Sequence, residues 1–299
     1  MLSPDALSRI SQLDLRAKYI VEGLFSGLHR GAGHGFSSEF SEYRQHTAGE
    51  PSATIDWRIF ARTGKRYKRL HQAETSLTVT LAVDVSASMA ASPSLSAPGV
   101  RLNLMPKREY AAALAAALTW LLISQNDRVG LITFSDRLIS DIHPSSKPSR
   151  VSDIMKQLVA DSPGGRTDAG GCLEAILKRS PKRGMTVVIS DFLCPLDGLE
   201  RRLAAFRATG REVIAFCIHD YVERHPEPLQ GARLRDPETG RSAVFDLSSS
   251  EYDRRMQAHI ADLKAVCRRT QTALAVSTNR TPFDRLLIQF LATRNRRNG

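Results

Sequence analysis

The pattern of apolar and polar residues along the chain changes at about residue 77. Beyond this point, short β-branched runs alternate with longer segments whose apolar residues recur at the helical period. This pattern predicts an α/β domain with a mostly parallel central sheet flanked by helices. The predicted central strands are near-continuous apolar runs, as expected for strands covered on both faces: 77–83, 128–134, 185–190 and 212–218. The predicted covering helices are 107–124, 149–158, 170–179 and 196–209.

The two ends of the chain add further predicted elements. A hairpin (232–234 with 243–247), a helix (250–270), a strand (273–276) and a last helix (282–293) complete the domain of residues 77–299. Residues 1–76 differ: an amphipathic helix ending near Gly23 leads through a glycine-rich stretch to a dense polar and aromatic segment. We therefore expect residues 1–76 to form an N-terminal accessory module.

Polar residues follow the predicted strands at positions that can hold a metal ion. The first central strand runs directly into Asp84-x-Ser86-x-Ser88, Thr167 precedes a helix, and Asp191 ends a later strand. In open α/β sheets, ligands collect outside the carboxyl ends of the strands, so the three loops are expected to converge. Hydroxyl and carboxylate oxygens without His or Cys suit a hard cation, which predicts Mg²⁺, or Mn²⁺ or Ca²⁺ in its place. The alternative for each residue alone is a helix cap, which Ser and Asp commonly provide.

These five residues resemble the metal-ion-dependent adhesion site (MIDAS) of von Willebrand factor type A domains. Other motifs resemble a family called "domain of unknown function 58", whose bacterial members are commonly encoded beside MoxR-type AAA+ ATPases. They are Glu39-Phe40, Tyr43-Arg44, Gly49, Ile55-Asp56-Trp57, Ala61-Arg62-Thr63-Gly64 and Gln125-Asn126-Asp127-Arg128-Val129-Gly130. The resemblance extends from about residue 15 to about residue 225 of this chain.

The resemblance implies a von Willebrand type A fold and a Mg²⁺-dependent site that binds a protein. It further implies a non-catalytic adaptor for a MoxR-type ATPase, or for its client, in chaperone-like assembly or in metal or cofactor maturation. An Asp or Glu of that partner would complete the coordination of the metal. Residues beside the ligands are expected to contact the partner: Met89, Arg166 and Asp168. Four residues are expected to dock the N-terminal module on the main domain: Arg44, Asp56, Trp57 and Arg62.

Two alternatives use other features of the sequence. The basic segment 62–69, with Tyr67 inside it, could grip phosphates and stack a base, although such a run is more often a solvated edge strand. Asp84 could instead be the nucleophile of a metal-dependent hydrolase. That chemistry requires a second carboxylate two residues later, where this chain has Ser86, and no G-x-S-x-G or phosphate-loop motif occurs. We therefore expect a protein that is not an enzyme.

Composition bears on partners and location. The chain has 299 residues, and its 42 Lys and Arg exceed its 31 Asp and Glu, giving a net charge of +11 that is spread along the sequence. Its longest apolar run, 110–124, is shorter than the roughly 20 residues of a membrane span, and the N-terminus has no signal-peptide pattern. The four cysteines form no C-x-x-C pair. These features predict a cytoplasmic protein without a membrane span.

Overall fold

A computed structural model describes residues 4–31, 42–45, 60–62, 64, 67–70, 76–90, 96–97, 100–101, 105–161, 169–182, 184–226, 233–235, 242–244 and 249–295. The chain divides into two compact units: Met1–Phe25 with Leu77–Gly299, and Ser26–Ser76. In chain order, the elements are α1 (Pro4–Gly31), β1 (Glu42–Gln45), β2 (Tyr67–Leu70), β3 (Thr78–Asp84), α2 (Ala87–Ala90), β4 (Ser96–Ala97), β5 (Val100–Arg101), α3 (Lys107–Ser124), β6 (Arg128–Phe134), β7 (Leu138–Ser145), α4 (Ser149–Ala160), α5 (Ala169–Arg179), β8 (Met185–Ser190), α6 (Leu199–Ala208), β9 (Glu212–His219), α7 (Tyr221–Arg224), β10 (Arg233–Arg235), β11 (Ser242–Val244), α8 (Ser249–Arg269), β12 (Ala273–Thr278) and α9 (Phe283–Asn295).

A six-stranded sheet forms the centre of the larger unit. Its strand order is β12-β9-β8-β3-β6-β7, and every pair is parallel except β6 with β7. Helix α3 packs against β3, β6, β8 and β9, while the side chains of α5, α6 and α8 share a buried cluster with the sheet. Strands β3 and β8 are buried almost throughout, as their continuous apolar sequences predict. The structure is thus the mixed α/β architecture with a mostly parallel sheet that the sequence predicts.

The register of the central strands places the carboxyl ends of β3 and β8 side by side. Val83 of β3 lies opposite Ile189 of β8, so Asp84 and Ser190 occupy the next row. Asp191 follows immediately. The two carboxylates that the sequence places on separate loops therefore emerge at the same edge of adjacent strands.

Strand β7 is an element that the sequence pattern did not predict. Its residues alternate between half-buried and exposed positions, and the strand contains His143 and Pro144. These features are typical of an edge strand, where Pro and exposed polar residues limit further pairing. Its apolar signal is correspondingly weak, because only one of its faces is covered.

Helix α1 corrects the predicted N-terminal module. The helix continues to Gly31 instead of ending near Gly23, and its first part groups with residues 77–299, so residues 1–76 do not form one unit. Its inner face is buried at Leu13, Ala17, Val21 and Leu24. The penalty of a helical glycine, about 1 kcal/mol, is too small to end a helix held by such packing.

The smaller unit contains the antiparallel pair of β1 and β2. Among the residues predicted to dock a module, Arg44 lies in β1, opposite Lys68 of β2. Arg62 is also described, whereas Asp56 and Trp57 lie outside the described residues. Their docking role stays a prediction.

Candidate metal centre

Asp84 ends β3 with its carboxylate completely buried. Its Oδ1 accepts a hydrogen bond from the backbone N–H of Ser86 at 2.9 Å. Its Oδ2 accepts one from the Ser190 hydroxyl at 2.6 Å, which joins the ends of β3 and β8. The Ser190 hydroxyl oxygen in turn accepts from the N–H of Phe192 at 3.0 Å. The carboxylate is thus fixed by groups from both strands.

The two serines of the motif continue this network. The hydroxyl oxygens of Ser86 and Ser88 lie 3.0 Å apart. The Ser86 hydroxyl also hydrogen-bonds to Asp84, and the Ser88 hydroxyl hydrogen-bonds to Asp191. The chain turns into the short helix α2 immediately after Ser86. Side-chain oxygen atoms therefore form one hydrogen-bonded network at the carboxyl ends of β3 and β8. They belong to Asp84, Ser86, Ser88 and Asp191.

Asp191 is held by a backbone turn and by a buried cation. Its Oδ1 accepts from the N–H of Leu193 at 3.1 Å, and the intervening Phe192 has a positive φ of 52°. Its Oδ2 lies 3.0 Å from Nζ of Lys107, whose side chain is fully buried. The carbonyl oxygen of Asp191 lies 3.1 Å from Nε2 of His219.

Sequence reasoning missed Lys107 and Glu223 as parts of this site. Lys107 Nζ lies 2.6 Å from Oε1 of Glu223 as well as 3.0 Å from Asp191. Oε2 of Glu223 accepts from the N–H of Asp220 at 2.7 Å, within a capping box at the start of α7. The Asp220-x-x-Glu223 spacing directly after an apolar strand could have indicated that box. No sequence signal ties it to Lys107, which lies more than a hundred residues earlier.

Burial and neighbouring charges shift the pKa values of these groups. Burial, followed by the charge of Asp191, raises the pKa of Asp84 to about 7. Burial acts to raise the pKa of Asp191 too, but the Lys107 ammonium and the hydrogen bonds from Leu193 and Ser88 together hold that pKa below the ordinary value. Burial would lower the pKa of Lys107, yet Asp191 and Glu223 raise it, so the ammonium stays charged. Burial and then Lys107 lower the pKa of His219 to about 4, so its imidazole is neutral at pH 7.

The donor set and its charge fit a divalent cation. When Asp84 is ionised, it carries a third negative charge beside those of Asp191 and Glu223, the two carboxylates that the Lys107 ammonium contacts. Burial is the main cause of the raised pKa of Asp84, and the charge of Asp191 raises it further. Among the described residues, no group of three or more His, Cys, Asp or Glu could hold a metal. The predicted set differs in kind, since it combines two carboxylates with hydroxyl oxygens, which suit Mg²⁺.

Comparison with known proteins places the chain in a family. Residues 42–266 match the family described as "Protein of unknown function DUF58". The chain belongs to this family. The uncharacterised protein Rv1480 of Mycobacterium tuberculosis (strain ATCC 25618 / H37Rv) is 28% identical over 302 residues, covering 98% of this chain and 91% of the relative. The uncharacterised protein MAV169 of Mycobacterium avium is 29% identical over 138 residues, covering 44% of this chain and 79% of the relative.

Solved structures show a remote likeness to this DUF58 chain. The hypothetical protein BatB of Bacteroides thetaiotaomicron is 16% identical, with a TM-score of 0.47, over 74% of this chain and 100% of that one. An aerotolerance-related membrane protein of Bacteroides fragilis NCTC 9343 is 17% identical, with a TM-score of 0.40, over 66% and 99% of the two chains. Within the described part of the DUF58 chain, no helix is long and apolar enough to cross a membrane.

The structure brings together four of the five predicted ligands of the DUF58 chain. These are Asp84, Ser86, Ser88 and Asp191. Thr167 lies outside the described residues, as do the predicted partner contacts Arg166 and Asp168. The third predicted contact, Met89, requires a correction, because its side chain in α2 is completely buried and cannot reach a partner without leaving the core.

Proposed function

We propose that this DUF58 chain is a metal-dependent protein-binding adaptor with a von Willebrand factor type A fold. The observation that carries the proposal is the buried oxygen network of Asp84, Ser86, Ser88 and Asp191, with its excess of negative charge at the sheet edge. With Thr167, these residues would hold Mg²⁺, or Mn²⁺ or Ca²⁺. The bound cation would supply a positive centre that attracts a carboxylate from another protein.

The partner we propose is a MoxR-type AAA+ ATPase, or its client, as the family resemblance of the sequence implies. The net charge of +11 supports an acidic partner, since complementary charge speeds encounter between proteins. Recognition itself would rest on an Asp or Glu of that partner. We place this association in the cytoplasm because all four cysteines, which lie within the described residues, are thiols and not disulfides.

We further propose that the site binds without catalysing a reaction. The residue two positions after Asp84 is the hydroxyl-bearing Ser86 instead of a carboxylic acid. A phosphatase-type nucleophile needs an acid at that place to protonate the leaving group. Turnover in a Mg²⁺ or Mn²⁺ phosphatase screen that disappears in the Asp84→Asn variant would refute this part of the proposal.

An Asp84→Asn substitution tests the metal site. Asparagine keeps the size of the side chain and resembles the protonated carboxyl, the form that burial favours at Asp84. We expect Mg²⁺ binding, measured by isothermal titration calorimetry, to weaken by more than about tenfold, because even changes outside the ligand set cost about that much. The circular dichroism spectrum should be unchanged.

Partner binding is measured with the same variant. Wild-type chain should retain a MoxR-type ATPase of the same organism in a pull-down with Mg²⁺ and release it with EDTA. Asp84→Asn should fail to retain it under both conditions. Asp153→Asn is the matched control, because Asp153 is an exposed carboxylate on α4 that pairs with Arg150 of the same helix. Retention by Asp84→Asn in EDTA, at the wild-type level, would show that the metal does not bridge the partners.

A further inference from the structure

The position of Lys107 is unfavourable unless its ammonium has a specific role. Lys107 is the first residue of α3, directly after the cap residue Pro106. The N-terminus of a helix favours anions and disfavours cations. The side chain is nevertheless completely buried, and the two carboxylates that it contacts offset its desolvation.

The two carboxylates around Lys107 differ in their place in the site. Asp191, 3.0 Å from Nζ, is a proposed metal ligand. Glu223, 2.6 Å from Nζ, lies outside the ligand set, and the N–H of Asp220 fixes its other oxygen. Asp220 is itself held by the N–H of Val222 and by the side-chain amide of Asn279. Glu223 is therefore a rigid second acceptor for the ammonium.

A metal cation bound at Asp191 would compete with the ammonium of Lys107 for the same carboxylate. A divalent cation there would repel the ammonium and weaken its hold on Asp191. Glu223 already accepts from the same Nζ, so Lys107 can give up Asp191 and keep a charged acceptor. No large motion is required.

We infer that Lys107 is an internal competitor for the metal at Asp191, and that Glu223 retains the ammonium when the metal is bound. This inference rests on the proposed function. Its consequence is a lower intrinsic affinity for the metal. The site then fills most readily when a partner carboxylate adds its own contribution to holding the cation.

A double-mutant cycle on the full chain tests the inference, with Mg²⁺ alone as the titrant in calorimetry. Lys107→Met removes the competitor and should tighten Mg²⁺ binding by about tenfold, the scale of changes next to a ligand set. Glu223→Gln removes the charged second acceptor, leaves the ammonium on Asp191, and should weaken binding by about tenfold. In the Lys107→Met/Glu223→Gln double variant, the Glu223→Gln change should lose its effect, so the affinity should match that of Lys107→Met within about threefold.

The double-mutant cycle distinguishes competition by Lys107 from a general effect of charge and from a folding defect. If Glu223→Gln weakens binding equally with and without Lys107, Glu223 acts only through its charge and the inference is wrong. The double variant removes the ammonium together with one of its two carboxylates, so it leaves one fewer uncompensated buried charge than Lys107→Met does and gives a reading if that single variant does not fold. It must then bind Mg²⁺ at least about tenfold more tightly than Glu223→Gln does. The exposed pair Lys178→Met/Glu174→Gln, on α5, is the matched control and should leave Mg²⁺ affinity unchanged.

The outcomes also distinguish this inference from the proposed function. Mg²⁺ binding by the wild type, with an unchanged affinity in Lys107→Met, would overturn the inference and leave the metal site intact. Binding by the double variant but not by the wild type would support the competition and refute a Mg²⁺-dependent function of the natural chain. Binding by neither would overturn both.

Discussion

Gly130 shows at the scale of one residue how closely β7 approaches β6. A Cβ at this position would lie 2.6 Å from the carbonyl oxygen of Ile142 and 2.9 Å from the backbone N of Pro144. The pairing register shifts between Val129 and Leu131, so Gly130 lies at a bulge. Glycine in a strand often marks such a close backbone approach. Backbone atoms of β7 cannot move away as the end of a flexible side chain could.

We therefore expect Gly130→Ala to lower the free energy of unfolding by about 1–3 kcal/mol, the usual cost of overpacking. Gly23→Ala is the opposite case, since a Cβ there meets nothing within 4 Å on α1. That substitution should raise the free energy of unfolding by about 0.5–1 kcal/mol, the helical preference of alanine over glycine. Urea unfolding of both variants measures the two effects. Equal destabilisation by the two substitutions would contradict the close approach of β7 to Gly130.

The residues of the candidate site were only partly predictable. Asp84, Ser86, Ser88 and Asp191 were predictable because each follows a strongly apolar strand, and parallel strands end at a common edge. Lys107 was not, because its acceptors lie just after β8 and in α7, and that three-way contact exists only in the folded chain. Glu223 likewise reads as an ordinary helix-cap residue until its distance to Nζ of Lys107 is known.

At the scale of elements, the first part of α1, up to Phe25, belongs to the larger unit. Its Asp14 accepts a hydrogen bond at 3.0 Å from the indole N–H of Trp120, on α3. The ammonium of Lys18 lies 4.8 Å from the centre of the same ring. Leu24 is buried on the inner face, whereas Leu15 is 70% exposed on the outer face. Substitutions on the two faces of α1 are therefore expected to differ in their effect on the free energy of unfolding.

Replacing Leu24 by Ala should lower the free energy of unfolding by about 2–5 kcal/mol, through lost burial and the cavity left behind. Leu15→Ala removes the same atoms from a solvated position and should change it by less than about 0.5 kcal/mol. Chemical denaturation followed by tryptophan fluorescence measures both variants, since Trp120 reports on the contact of α1 with α3. Similar losses in the two variants would mean that α1 is not docked on its Leu24 face.

The elements divide into those that local pattern determines and those that it does not. The apolar strands β6 and β8 were predicted with their observed bounds because both of their faces are covered. Strand β7 was missed because its one covered face leaves alternating, partly polar positions and a proline. The end of α1 was misplaced because Gly23 is a weak stop, and packing along the helix overrides it.

At the scale of the whole molecule, the organising feature is the central position of β3. It pairs with β6 on one side and β8 on the other, so the loop that follows Asp84 leaves the middle of the sheet. The groups that approach this point come from β8, α3 and α7, elements far apart in sequence. The site is thus rich in carboxylates, whereas the chain as a whole has a net charge of +11.

The net positive charge makes nucleic-acid binding the main alternative to the proposed adaptor function. The distribution of the positive charge along the chain distinguishes a specific nucleic-acid site from weak general attraction. Positive charge spread over a protein attracts any polyanion weakly, with an affinity that falls steeply as salt increases. A true binding site in the basic segment 62–69 would concentrate the affinity there. We expect Lys68→Ala/Arg69→Ala, in β2, to weaken binding to mixed DNA and RNA no more than Arg201→Ala/Arg207→Ala does, in α6. Fluorescence anisotropy over a salt series measures both double variants. A loss of tenfold or more confined to the β2 variant would identify a nucleic-acid site and displace the adaptor function proposed for this chain.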